Sequence, residues 1–126
     1  MVKAAKLIFP IILLLVVLTA CSGEPASEFE GQASFNLEAT PGRHYATYTR
    51  FIGTYVYRIQ LTDGEYSFSF VGSPGLQFAL KDRRGNNLIE LAPGETGTLA
   101  AKRDTYFLSV TNRTPGSGLF DIRWEK

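Results

Sequence analysis

Tyr55-Val56-Tyr57-Arg58-Ile59-Gln60-Leu61, followed shortly by Glu65-Tyr66-Ser67-Phe68-Ser69-Phe70, decides the fold class. In the first run Tyr55, Tyr57, Ile59 and Leu61 alternate with Val56, Arg58 and Gln60. In the second, Tyr66, Phe68 and Phe70 alternate with Glu65, Ser67 and Ser69. Successive side chains of an extended chain point to opposite faces, so a period of two gives a strand with one apolar and one wet face.

The same period returns in Leu76, Phe78, Leu80, in Tyr106, Leu108, Val110, and in Phe120, Ile122, Trp124. Between these runs lie Thr62-Asp63-Gly64, Gly72-Ser73-Pro74-Gly75, Arg84-Gly85-Asn86-Asn87, Ala92-Pro93-Gly94 and Thr114-Pro115-Gly116-Ser117-Gly118. Each supplies residues that preset a bend or tolerate positive φ. Strands are predicted near 33–38, 45–52, 54–62, 65–71, 76–82, 87–91, 97–101, 104–111 and 118–125, and no helical stripe follows residue 21. This spacing predicts an all-β chain with a single antiparallel β-sandwich of jelly-roll type over residues 33–126.

The amino terminus reads differently. Lys3 and Lys6 precede an apolar stretch from Leu7 to Leu18 broken only by Pro10. That is the layout of a secretory signal peptide, and it is shorter than the roughly 20 apolar residues of a membrane span. Leu18-Thr19-Ala20-Cys21 resembles the lipobox of bacterial lipoproteins. The resemblance implies cleavage of residues 1–20 before Cys21, a diacylglyceryl thioether on the Cys21 thiol, and acylation such as palmitate on the new amino terminus. Cys21 is the single cysteine of the chain, so no internal disulfide competes for it. Two acyl chains anchor stably where one holds only marginally. Ser22 resembles the outer-membrane sorting signal of Gram-negative cells. Residues 22–32, small, acidic and poor in apolar groups, are expected to act with Cys21 as a flexible tether spanning at most about 35 Å.

Without Lys3 and Lys6, eleven basic residues face twelve acidic ones, a formal charge of −1. That excludes the basic stripe of a nucleic-acid binder, and no run of basic residues marks a membrane patch.

Asp63-Gly64-Glu65-Tyr66-Ser67-Phe68, Leu76-Gln77-Phe78-Ala79-Leu80-Lys81-Asp82 with Gly85-Asn86, Thr105-Tyr106-Phe107-Leu108-Ser109-Val110 and Gly118-Leu119-Phe120-Asp121-Ile122 resemble in order the bacterial pre-peptidase C-terminal (PPC-like) domain, across residues 45–125. The resemblance implies a β-sandwich. Some relatives bind calcium through clustered acids, but Glu28, Glu30 and Glu38 are too scattered here for a cage.

Chemistry-bearing residues are sparse. His44, the one histidine, lies in Pro41-Gly42-Arg43-His44-Tyr45 and reads as a surface or loop residue at a turn entering a strand. There is no nucleophile elbow, and no His or Cys pair at metal-ligand spacing. Asp63, Asp82, Asp104 and Asp121 read as turn or wet-face carboxylates rather than a glycosidase pair. Asn112-Arg113-Thr114 fits a glycosylation sequon but reads as a turn beside a strand.

Two features suit binding. Lys81/Arg83/Arg84 and Lys102/Arg103 flank expected hairpin ends, where they can converge on one rim against an anionic partner such as a polysaccharide or a lipid headgroup. Tyr45, Tyr48 and Phe51 do not all fall on one face, so at least one is expected exposed as a stacking surface for a sugar ring. The sequence therefore predicts a lipid-anchored, non-enzymatic envelope protein without a cofactor. Its sandwich is expected to serve as a binding or interaction module, for a polysaccharide or another envelope protein, with a cell-surface carbohydrate- or matrix-binding module as the alternative and a small hydrolase built on His44 as the least favoured reading.

Overall fold

The computed structural model describes residues 24–126; the leader, Cys21 and Ser22 lie outside the described residues. Ten strands form two antiparallel five-stranded sheets. They are β1 (Glu28–Phe29), β2 (Ser34–Thr40), β3 (Arg43–Thr49), β4 (Gly53–Leu61), β5 (Gly64–Gly72), β6 (Leu76–Lys81), β7 (Asn87–Leu91), β8 (Thr96–Ala101), β9 (Asp104–Asn112) and β10 (Gly118–Glu125). The first sheet runs β1-β4-β9-β6-β7 and the second β2-β3-β10-β5-β8. Counting β3 as the first of eight, the sheets read 2-7-4-5 and 1-8-3-6, the strand order of a jelly roll. The chain is thus an all-β sandwich of the expected class, with β1 and β2 added to the edges of β4 and β3.

The alternating residues build the core. Phe68, Phe70, Phe78, Leu80, Leu108, Val110, Phe120 and Ile122 are almost wholly buried between the sheets. Each apolar side chain of this size stabilises by about 1.5–3 kcal/mol when fully removed from water.

Two tyrosines fix the corners where the chain changes sheet. The Tyr106 hydroxyl donates to the Lys102 carbonyl at 2.8 Å and accepts from the Lys102 N–H at 3.1 Å, tying β9 to the turn before it. Tyr66 does the same job four residues after Thr62, accepting the Thr62 N–H at 3.2 Å and pairing with its hydroxyl at 3.0 Å. Both are tyrosine-corner geometry, a hydroxyl closing back on the chain a few residues upstream. Asp63 then accepts the Arg103 N–H at 2.7 Å, joining the two corners to each other.

The segment expected as a tether contributes to the fold. Glu28 and Phe29 pair with Thr54 and Gly53, and the Ser27 hydroxyl accepts the Val56 N–H at 2.8 Å. Phe29 packs against Phe35 and Phe51, with centroids 5.5 and 5.9 Å apart. This contact requires Gly53: its φ is +126°, and a Cβ there would stand 2.2 Å from the Glu28 carbonyl oxygen.

Candidate functional site

The outer face of the first sheet carries an open groove of about 510 Å³. Its position follows from register. On β9, Tyr106, Leu108 and Val110 point into the core, so Phe107, Ser109 and Thr111 point out. Ser109 stands beside Val56 and Ala79, whereas Phe107 stands between Arg58 and Lys81. The long stems of Arg58 and Lys81 flank Phe107, which is only 3% exposed. The small pair Ser109 and Ala79 leaves a depression just above that raised row.

Polar groups line the depression. Thr54 and Thr111 share a hydroxyl–hydroxyl hydrogen bond of 3.2 Å at one end. Gln77, Asn87 and Glu90 form the β6–β7 side, and Pro25, Ala26 and Glu28 form the opposite wall. Asn87 donates to Glu90 at 2.8 Å, which orients that wall. The groove therefore offers hydroxyl and amide hydrogen bonds with a cation at each end, Lys81 and Arg113. It suits a polar, extended ligand, and its lining holds no nucleophile–base pair.

His44 is not at the surface. β3 begins at Arg43, two residues earlier than expected, which turns His44, Ala46 and Tyr48 inward. Its ring is fully buried and stacks on Tyr57 with centroids 4.0 Å apart, and Nε2 meets the Tyr55 hydroxyl at 2.9 Å. Nδ1 has no partner. Burial pushes its pKa down to about 4, so the ring is neutral near pH 7. Buried among aromatic rings, it has no route to a substrate.

The expected aromatic patch divides. Tyr48 and Phe51 are core residues, 4% and 0% exposed. Phe51 is held from both directions, its N–H donating to Gly116 and its carbonyl accepting from Asn112 Nδ2 at 2.9 Å. Tyr45 alone faces outward, half-buried, with the Arg43 guanidinium 5.3 Å above its ring. Arg43 in turn makes a two-pronged contact to Asp121, 3.0 Å on each branch, and Arg123 reaches the same carboxylate at 3.1 Å. Burial pushes the Asp121 carboxyl up, but these hydrogen bonds outweigh it and hold its pKa below the usual range. No stacking surface is formed by the three aromatics together.

The two basic clusters do meet at one end of the sandwich. Arg83 reaches Asp104 at 3.2 Å and the Thr105 hydroxyl at 3.3 Å, which brings the β6–β7 loop against the start of β9. Arg84 and Arg103 are exposed beside it. Asp82 accepts the N–H groups of Arg84 and Asn86, and the Asn86 side chain first of all lowers its pKa. It is a turn carboxylate, as its sequence context suggests.

Among the described residues no group of three or more His, Cys, Asp or Glu side chains is placed to hold a metal ion. Among them no helix is long and apolar enough to cross a membrane.

No family model and no curated protein matches the chain. Among solved structures, a periplasmic inhibitor of g-type lysozyme from Aeromonas hydrophila matches 78% of this chain and 92% of its own at 11% identity, with a TM-score of 0.46. A protein of unknown function from Acidithiobacillus ferrooxidans matches 79% and 94% at 16% identity, with a TM-score of 0.33.

The groove residues were not legible as a site. Gln77, Asn87, Ser109 and Thr111 are ordinary wet-face residues of alternating strands. The one signal is two small outward residues, Ala79 and Ser109, on strands that only the register shows to be neighbours.

Proposed function

We propose that this chain is a lipid-anchored protein of the cell envelope whose sandwich is a non-catalytic binding module, with the groove over Ser109 and Ala79 as its binding surface. The anchor rests on Leu18-Thr19-Ala20-Cys21 and the leader before it. In a Gram-negative cell Ser22 favours the outer membrane. The observation that carries the binding role is the groove itself: an open, hydroxyl- and amide-lined depression on a rigid sheet, walled by the segment that leads to the anchor. Such a face hydrogen-bonds an extended polar segment of a partner protein without enclosing it. Burial of His44 removes the base on which a small hydrolase would have relied.

Photo-cross-linking in the native envelope tests this. A cross-linker at Gln77 or Asn87 is expected to capture a discrete partner, whereas one at Thr98 on the far sheet is expected to capture none. Equal or absent adducts from the groove positions reject the groove as the binding surface. The anchor is tested separately: Cys21→Ala is expected to move the protein from the membrane to the soluble fraction, and unchanged membrane association rejects lipidation.

A further inference from the structure

The amino-terminal segment and the basic end of the sandwich are related by geometry. β1 is antiparallel to β4, with Glu28 opposite Thr54, and Ser27 is fastened to Val56. Traced backwards from Ser27, the chain runs along β4 in the direction of Arg58 and Leu61, with Pro25 and Ala26 still against the sheet. With the leader cut before Cys21, three residues, Cys21 to Gly23, precede Glu24 in the mature chain. At about 3.5 Å per residue they can reach at most roughly 10 Å, far less than a free tether of residues 22–32 could.

That direction leads to the end where the cations gather. On the first sheet's side stand Arg58, Lys81, Arg83, Arg84, Lys102 and Arg103 against Asp63, Asp82 and Asp104, and with Glu24 of the incoming chain the excess is two positive charges. Each of the three Asp carboxylates is already engaged, Asp63 by the Arg103 N–H, Asp82 within its own turn and Asp104 by Arg83. Lys126 lies over Tyr66 nearby, whereas Glu65 and Glu125 belong to the second sheet. The sequence carries the patch as two short clusters, Lys81/Arg83/Arg84 and Lys102/Arg103; the fold sets them side by side at the β6–β7 loop and the β8–β9 corner and adds Arg58 of β4.

We propose that this end rests on the anionic headgroups of the membrane that holds Cys21, so that the groove rises from the lipid surface and the 113–117 loop points away from it. The proposal builds on the lipid-anchor reading. The short reach, comparable to the Debye length of about 8 Å at physiological salt, lets the patch settle near the headgroups, where basic residues are attracted to anionic lipid.

The test uses the mature protein purified from membranes and placed in nanodiscs, with a gadolinium-chelating lipid as relaxation probe. Mass spectrometry of the amino-terminal peptide comes first: an unmodified Cys21 overturns the anchor and this contact together. With lipidation present, discs containing phosphatidylglycerol are expected to broaden the amides of Arg84, Lys102 and Arg103 and to spare those of 113–117. Phosphatidylcholine discs, or the triple variant Arg84→Glu, Lys102→Glu, Arg103→Glu on anionic discs, are expected to reduce that broadening by at least about threefold. Equal broadening at both ends, or broadening indifferent to lipid charge, overturns the contact while leaving the anchor standing. Protection of the corner amides by an acidic polysaccharide and none by lipid overturns it as well, in favour of a polymer-binding edge.

Discussion

β9 and β2 are both strands of alternating sequence, yet from Thr105 to Val110 every residue of β9 is buried, whereas every residue of β2 except Phe35 is exposed. β9 lies between β4 and β6, with the second sheet beneath it and the Arg58 and Lys81 side chains beside Phe107 above. β2 pairs only with β3, and the strand that lies opposite it, β1, is two residues long. Leu37 points towards the sheet interface but remains 46% exposed because little lies below it. Pattern assigns a side chain to a face; place in the sheet decides whether that face is covered.

The sharpest way to break this contrast is to truncate the same residue type in both strands. Leu108→Ala is expected to cost about 3–4 kcal/mol in urea unfolding, since it removes a fully buried side chain from a packed core. Phe107→Ala is expected to cost about 2–3 kcal/mol although it lies on the nominally wet face. A cost below about 1 kcal/mol for Leu108→Ala would show that β9 is not the centre of the core.

His44 marks where the covered region ends, since its strand neighbour on the outer side is Ala39 of β2. Its folded pKa of about 4 lies below the unfolded value near 6.5, so between these pH values the unfolded chain binds a proton that the folded chain refuses. Stability is therefore full above about pH 6.5 and falls as the pH drops towards 4, by about 2–3 kcal/mol. Loss of the Asp121 and Asp82 carboxylate contacts belongs to lower pH, because their folded pKa values are depressed. In His44→Phe the slope between pH 6.5 and 4 is expected to vanish, whatever the absolute stability. A wild-type curve flat across that window would mean that His44 is reached by water and that the core ends one strand earlier.

Gly53→Ala acts on the element opposite β2. A Cβ would meet the Glu28 carbonyl, and the residue would be held at φ +126°. The expected cost is about 1–2 kcal/mol, confined to β1. Hydrogen exchange is expected to accelerate at the Glu30 amide, which donates to Ile52, while β9 amides keep their protection. Uniform acceleration would mean that β1 is integral to the sandwich rather than an addition to its edge.

Much of the fold was legible because β4, β5, β6 and β10 alternate strictly and are bounded by glycine and proline turns. What was not legible depended on partners distant in sequence. Glu28 and Phe29 sit in an acidic, small-residue stretch, and nothing local announces that Gly53 will let them approach. His44 was misplaced by the start of one strand, since a two-residue error there turned a loop into an inward-facing position. Phe107 followed the alternation onto the outer face, but its burial depends on side chains from β4 and β6 that only the register brings beside it. The groove has the same origin.

The smallest effect belongs to Leu37. Its substitution by Ser removes apolar surface that is already largely in water, so Leu37→Ser is expected to change stability by less than about 0.5 kcal/mol. The comparison with Leu108→Ala then spans most of the range that a single core position offers, between two leucines in one small sandwich. Measured on the soluble domain, a near-neutral value confirms that β2 is uncovered in the isolated protein. If Cys21 carries the proposed lipid, the same substitution measured on that form in its membrane reports whether anything comes to lie on β2 there. A cost rising above about 1 kcal/mol only in the membrane would mean that the uncovered edge acquires a neighbour once the chain is anchored, and the contrast between β9 and β2 would then hold for the isolated domain alone.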